Sequence, residues 1–220
     1  MLFRSPKSDS ASATWWFDNL PHSIVTVQGL RRAPEVGHMT AERQAGDHVF
    51  SLFDRLPEHT VMVMTLTVKP QDFTRNHIAQ VKRAAVGDSA EAELTREDAE
   101  AVEREMARGN KLYPLCMAFY VRGDDLKSLR ANINQLNALL LPNGLQPILQ
   151  EADLLALDSY IRNLPMAYDV LLDKVNRRSR LVFSSHTANL LPLYGRSKGT
   201  GHPGLVFFNR GAEPLVFDPL

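Results

Sequence analysis

The sequence holds a single cysteine, Cys116, among 220 residues. One thiol can neither close an internal disulfide nor build a thiolate zinc site. Its neighbours Leu115, Met117, Ala118 and Phe119 are apolar, so it reads as a buried core thiol in a reducing compartment. Long hydrophobic runs are missing too. No apolar stretch nears the roughly 20 residues that span a bilayer, and the N-terminal Met-Leu-Phe-Arg-Ser-Pro-Lys lacks the apolar segment of a signal peptide. These absences predict a soluble, cytoplasmic chain. Charge of one sign is also lacking, because 25 Lys and Arg balance 25 Asp and Glu. That removes the global signature of a nucleic-acid or anionic-membrane binder and leaves room only for a local patch.

Catalytic motifs are equally thin. No GxxxxGK[ST] occurs, so there is no phosphate-cradling P-loop and no basis for nucleotide hydrolysis. The seven histidines (His22, His38, His48, His59, His77, His186, His202) show no metal-ligand spacing. Residues 199–204 match GxGxxG, but Pro203 and the Leu-Val-Phe-Phe that follows point to a strand where a dinucleotide site needs a helix. With Val206 the same residues fit the kinase glycine loop, yet no lysine follows Lys198. Residues 195–199 fit GxSxG. The run before them is interrupted by Pro192 and Gly199-Thr200-Gly201 opens no helix, so Ser197 reads as a loop residue.

What is present is alternation. Residues 1–13, rich in Ser, Ala and Lys, read as a disordered lead-in, with order beginning near Trp15. A β-branched first strand is expected over 23–30. Thr40 can cap a helix carrying Ala45, Val49, Leu52 and Leu56, stopped by Pro57. Residues 60–68 form the clearest strand in the chain, with Met62, Met64, Leu66 and Val68 on one face. Helices are expected over 72–85 and 95–108. The second of these shows a near-capping box, Thr95 and Asp98, and a narrow stripe of Ala99, Val102 and Met106. Eight acids and five bases between residues 82 and 108 suggest a helical arm standing off the body. A third strand covers 112–121. Asp124 caps a long helix with Leu126, Leu129, Ile133, Leu136 and Leu140 on one face, Pro142-Asn143-Gly144 stops it, and a short strand follows at 145–149.

The order β-α-β, helical insertion, β-α-β is the ferredoxin-like split pattern with an arm between its second and third strands, in the α+β class. The expected organisation is a lead-in (1–13), an α/β domain (14–150) with its arm at about 70–110, and a C-terminal extension (151–220). The extension holds a helix at 152–162 and a hairpin built from runs 204–209 and 214–218.

One patch stands out electrostatically. Lys174, Arg177, Arg178, Arg180, Arg196 and Lys198 occur with no acid between them. The readings are a solvated basic loop, or contact with phosphates, anionic lipid or an acidic neighbouring subunit. The two strongest strands carry no basic and aromatic RNA-binding pattern.

Near the C-terminus, the runs His186-Thr187-Ala188-Asn189-Leu190-Leu191-Pro192-Leu193-Tyr194-Gly195, Gly199-Thr200-Gly201-His202-Pro203, Phe207-Phe208-Asn209-Arg210-Gly211 and Phe217-Asp218-Pro219 resemble the large ATPase of conjugative type IV secretion systems. This is the VirB-four, TraC and TrbE group, in the branch carried by integrative conjugative elements. The signature loop comprises Pro192, Tyr194, Gly195, Gly199, Thr200, Gly201, His202 and Pro203. The resemblance covers roughly the last 35 residues, and the α/β region before it is compatible with the family's N-terminal domain. Family members are several times longer and carry Walker A and B motifs in a C-terminal RecA-like core. The resemblance therefore implies a chain cut off before its motor, with no catalytic, cofactor-binding or metal residues, and with ATP and Mg expected only for the missing core. It implies a non-catalytic assembly and docking domain of the DNA-transfer machinery. Its partners would be other type IV secretion subunits and neighbouring copies of itself, with peripheral inner-membrane association through those partners. The alternative is a nucleic-acid-binding α/β module using residues 174–198.

Overall fold

The computed structural model describes residues 7–9, 12–41, 43–45, 48–192, 204–208 and 214–217. In chain order they form β1 (Lys7–Asp9), β2 (Thr14–Phe17), β3 (Leu20–Leu30), β4 (Arg43–Ala45), β5 (His48–Phe50), β6 (Val61–Leu66), α1 (Gln71–Ala84), α2 (Ala90–Ala107), β7 (Leu112–Arg122) and α3 (Leu126–Leu140). Then come β8 (Leu145–Pro147), α4 (Ala156–Arg162), α5 (Val170–Asn176), β9 (Arg180–Phe183), α6 (Ser184–Leu190), β10 (Leu205–Phe208) and β11 (Pro214–Phe217). Short 3-10 turns occupy Phe53–Arg55 and Gln150–Ala152. The class is mixed α+β.

Two compact units divide the chain: Met1–Pro34 with Leu56–Ala188, and Glu35–Arg55 with Asn189–Leu220. They do not cut it at residue 150, because α4 and β9 belong to the same sheet and core as the residues before them.

The first unit is built on a seven-stranded antiparallel sheet in the order β1-β2-β3-β7-β6, with β8 added beside β3 and β9 beside β7. β3 and β7 lie at its centre because both are long, apolar and covered on both sides. Residues 23–27 and 114–119 are continuously buried. The register pairs Ile24 with Tyr120, Val25 with Phe119 and Thr26 with Ala118, so successive residues face opposite sides. On one side Ile24 and Ala118 pack with Ala13, Trp15, Ala156 and Tyr160. Trp15 and Tyr160 rings lie 4.8 Å apart, and the Tyr120 hydroxyl donates to the Tyr160 carbonyl at 2.5 Å. Helix α3 packs on β3 and β7 with Leu129, Ile133, Leu136 and Leu140 buried. Pro114 sits where β7 pairs with Leu181 of β9; it donates nothing, and its carbonyl accepts from the Thr67 amide at 2.9 Å.

Several expectations are corrected. Residues 7–9, placed in a disordered lead-in, pair with β2 as an edge strand. The strand expected at 60–68 is β6, also at an edge, with Val61 and Leu66 exposed: its regular alternation marks a partly solvated strand, not the core. The helix expected after Thr40 does not form. β4 and β5 pair antiparallel there, because His48-Val49-Phe50 favours extended backbone and Gly46-Asp47 falls where the helix would need its middle. The connection from β3 to β6 therefore carries a hairpin and a 3-10 turn, whereas that from β7 to β8 runs through α3. Helix α2 starts at Ser89, whose hydroxyl accepts from the Ala92 amide at 3.2 Å, and not at Thr95, whose hydroxyl donates back to the Glu91 carbonyl at 2.8 Å. The cap of α3 is Asp125, not Asp124. The Asp125 carboxylate accepts from the Ser128 amide at 2.6 Å, while the Asp125 amide donates to the Ser128 hydroxyl at 3.0 Å.

Helices α1 and α2 pack against each other. Arg96 ties their connection by donating to the Ala85 and Gly87 carbonyls at 2.9 and 3.0 Å. Gln71 clamps the start of β7: its side-chain oxygen accepts from the Leu112 amide at 3.0 Å and its nitrogen donates to the Leu112 carbonyl at 3.3 Å.

The second unit holds β4–β5, the Phe53–Arg55 turn and the antiparallel pair β10–β11, which falls on the two runs expected to form a hairpin. Met39 and Leu52 are buried in it, the Met39 carbonyl accepts from Phe53 at 2.8 Å, and the Ser51 hydroxyl donates to Asp54 at 2.8 Å.

Candidate interaction surfaces

Residues 170–183 form α5, a turn and β9 and carry four of the six predicted bases. Asp169 caps α5, accepting from the Leu171 and Leu172 amides at 2.8 and 3.3 Å. The helix ends at Arg177, which adopts the left-handed region at φ 53° and turns the chain back toward the sheet. Four consecutive residues then diverge. Arg178 points inward onto the Asp153 carboxylate, the two side chains being 12% and 3% exposed. Ser179 takes up the Asp173 carboxylate through its amide at 2.9 Å and through its hydroxyl. Arg177 remains exposed, and Arg180 enters β9 with its guanidinium donating to the Arg177 and Ser179 carbonyls at 2.6 and 3.1 Å.

A cleft of about 620 Å³ opens between α1 and this segment. Lys69, His77, Lys174, Arg177 and Arg180 line it, with Phe73, Pro114, Val170 and Leu181 as its apolar part. Lys69 lies 5.2 Å over the Phe73 ring. The cleft's one acid, Asp173, is already held by Ser179. Of the six predicted patch residues, then, Lys174, Arg177 and Arg180 share one cleft and Arg178 is withdrawn from it. Arg196 and Lys198 lie outside the described residues. So do Tyr194, Gly195, Gly199, Thr200, Gly201, His202 and Pro203 of the signature loop, whose Pro192 alone is described. Lys69, Phe73 and His77 were missed because only the pairing of β7 with β9 brings them to the basic segment.

A second surface is apolar. Helix α4 buries Ala156, Ser159 and Tyr160 against the sheet, and Asn163 just beyond its end. Its solvent side carries Leu157 and Ile161, with Leu164 just beyond the helix end, all exposed, beside the Asp158–Arg162 ion pair. Leu154 before it is 95% exposed, and Met166, Leu171 and Val175 beyond it are fully or largely exposed. The same helix carries Asp158 and Arg162, which pair at 3.4 Å, so its exposed surface is apolar along one strip and charged along another.

No constellation for catalysis is assembled among the described residues. No group of three or more His, Cys, Asp or Glu side chains could hold a metal ion there. Cys116 is 1% exposed and hydrogen-bonded to Asn163 at 3.6 Å, and burial pushes its thiol up to about 11, which leaves it protonated and inert. Burial likewise lowers the pKa of His22 and of His186, favouring the neutral imidazole. Among the described residues no helix is long and apolar enough to cross a membrane.

A family model for the TraC protein matches residues 1–168. The chain belongs to the TraC family. That places it in conjugative type IV secretion, as the N-terminal portion associated with the transfer ATPase. No curated protein matches the chain. The TraC match spans β1 to α4, where the sequence offered no signature comparable to the tail, and ends before α5. The residues that carried the resemblance, 186–219, lie beyond it, as do Lys174, Arg177 and Arg180.

Proposed function

We propose that this chain is a non-catalytic assembly and docking domain of a conjugative-transfer ATPase, which contacts other type IV secretion subunits through the outward face of α4 and the residues on to Val175. The carrying observation is that apolar face. A solvated helix gains nothing from Leu157 and Ile161 on its outer side, and a cluster of exposed large apolar side chains marks an interaction site. Membership of the TraC family supports the setting. Any attachment to the inner membrane runs through those partners, and ATP and Mg belong to the motor.

The test is a pair of charged substitutions, Leu157→Glu with Ile161→Glu, in the complete ATPase. Both side chains are exposed, so folding by circular dichroism stays as in the wild type. Co-purification with the other secretion subunits is expected to be lost and DNA transfer to fall by orders of magnitude. Wild-type transfer would refute the reading.

The nucleic-acid reading of residues 174–198 is favoured by one observation, that Lys174, Arg177 and Arg180 face a single cleft. Three phosphate contacts on a single strand predict a log–log salt slope of about −2. A flat or absent titration removes it.

A further inference from the structure

The chain carries two surfaces that complement each other and find no partner among the described residues. One is the basic cleft, with Lys174, Arg177 and Arg180 around Phe73 and Leu181, where Phe73 is 59% exposed. The other is the outer face of α2. There Leu94 is also 59% exposed, and Glu93, Glu97 and Asp98 surround it without an ion pair among the described residues. The inner acids of α2 differ: Glu100 and Glu103 both reach Lys82, at 3.2 and 3.0 Å, and raise its pKa. Glu93 and Glu97 stand four residues apart on one face, an arrangement that destabilises an isolated helix. An exposed leucine ringed by acids matches a cleft whose bases make no ion pair among the described residues, around exposed apolar side chains, in both charge and polarity.

We propose that the cleft between α1 and α5 receives the Leu94 face of α2 from a second copy of this chain. Leu94 sits against Phe73 and Leu181, while Glu93 and Glu97 meet Lys174 and Arg177. The two patches differ, so the contact is head-to-tail, and repetition of it closes a ring or extends a filament. It does not use Leu157 or Ile161, the residues on which the docking reading is tested, so its failure leaves the docking reading standing, and failure of that reading leaves this contact standing.

Sedimentation and light scattering at low salt test it on the chain as it is, with circular dichroism to check each variant. The wild type is expected to associate with rising concentration. The double variants Glu93→Lys/Glu97→Lys and Lys174→Glu/Arg177→Glu each weaken association by at least about tenfold, through like charges brought together. Mixing the two variants in equal amounts restores it, since one still offers its cleft and the other its α2 face. A misfolded variant could not be rescued this way. A wild type that stays monomeric, or variants that fail to complement, would overturn the contact. So would a cleft that binds single-stranded DNA, lost in Lys174→Glu/Arg177→Glu, while the copies stay apart.

Discussion

Arg178 offers the sharpest test of how the basic segment folds. Read as one of six solvated bases, it should tolerate replacement with a stability change within about 0.5 kcal/mol. In the structure it is one half of a buried ion pair. Asp153 is 9% exposed as a residue and 3% as a side chain, and its carboxylate also accepts from the Leu155 amide at 3.1 Å. Removing the guanidinium leaves that carboxylate desolvated with one amide for company. Stripping one partner from such a pair costs about 3–5 kcal/mol. At about 2–4 °C per kcal/mol for a unit of this size, Arg178→Met should lower the melting temperature by roughly 6–20 °C. Arg177→Met, one residue earlier and exposed, should shift it by under about 2 °C. Adding Asp153→Leu to Arg178→Met removes the stranded charge and should recover most of the loss. Thermal melts of the four proteins decide the matter. Equal melting temperatures for the two single variants would show that Arg178 is solvated and that the turn at Arg177 is wrongly placed.

Two further outcomes follow from close packing. Gly123 joins β7 to α3, and a Cβ there would fall 2.4 Å from the Leu129 amide nitrogen and 2.7 Å from its Cα, so Gly123→Ala should destabilise by about 3 kcal/mol or more, read from chemical denaturation. Cys116 should resist iodoacetamide in the folded protein at every pH below about 11 and react in denaturant; rapid native labelling at pH 8 would show that β7 is more open than described.

Local chemistry made much of the fold legible. The strands at 112–121 and 23–30, the α3 stripe and the stop at Gly144 follow from periodicity and turn residues, and β7 extends its expected range by one residue only. Position within the sheet was not legible in the same way. Residues 60–68 alternate most regularly because they are an edge strand, whereas the true centre, β3 and β7, reads as nearly continuous apolar sequence. The failure between residues 40 and 56 has another cause. Ala45, Val49, Leu52 and Leu56 fit a helical spacing by coincidence, and Gly46-Asp47 argues against a helix there. For the candidate surfaces, composition located the bases but not their directions. A single left-handed residue, Arg177, sends Arg178 inward and leaves Arg180 beside the cleft, and nothing at the level of charge counting carries that information.

The zero net charge thus resolves into interactions of different kinds, and salt separates them. Exposed charges lose their attraction once the screening length falls below their separation, about 10 Å at 0.1 M and about 3 Å at 1 M, whereas a buried pair is screened far less. Lys174 and Arg177 on one side and Glu93 and Glu97 on the other belong to the first kind, Arg178 with Asp153 to the second. Raising salt from 0.05 to 1 M should therefore dissociate copies of the chain while its melting temperature stays nearly constant. If the melting temperature instead fell with the association, the contact between copies would be holding the fold together, and the cleft and the α2 face would have to be read as parts of one obligate structure.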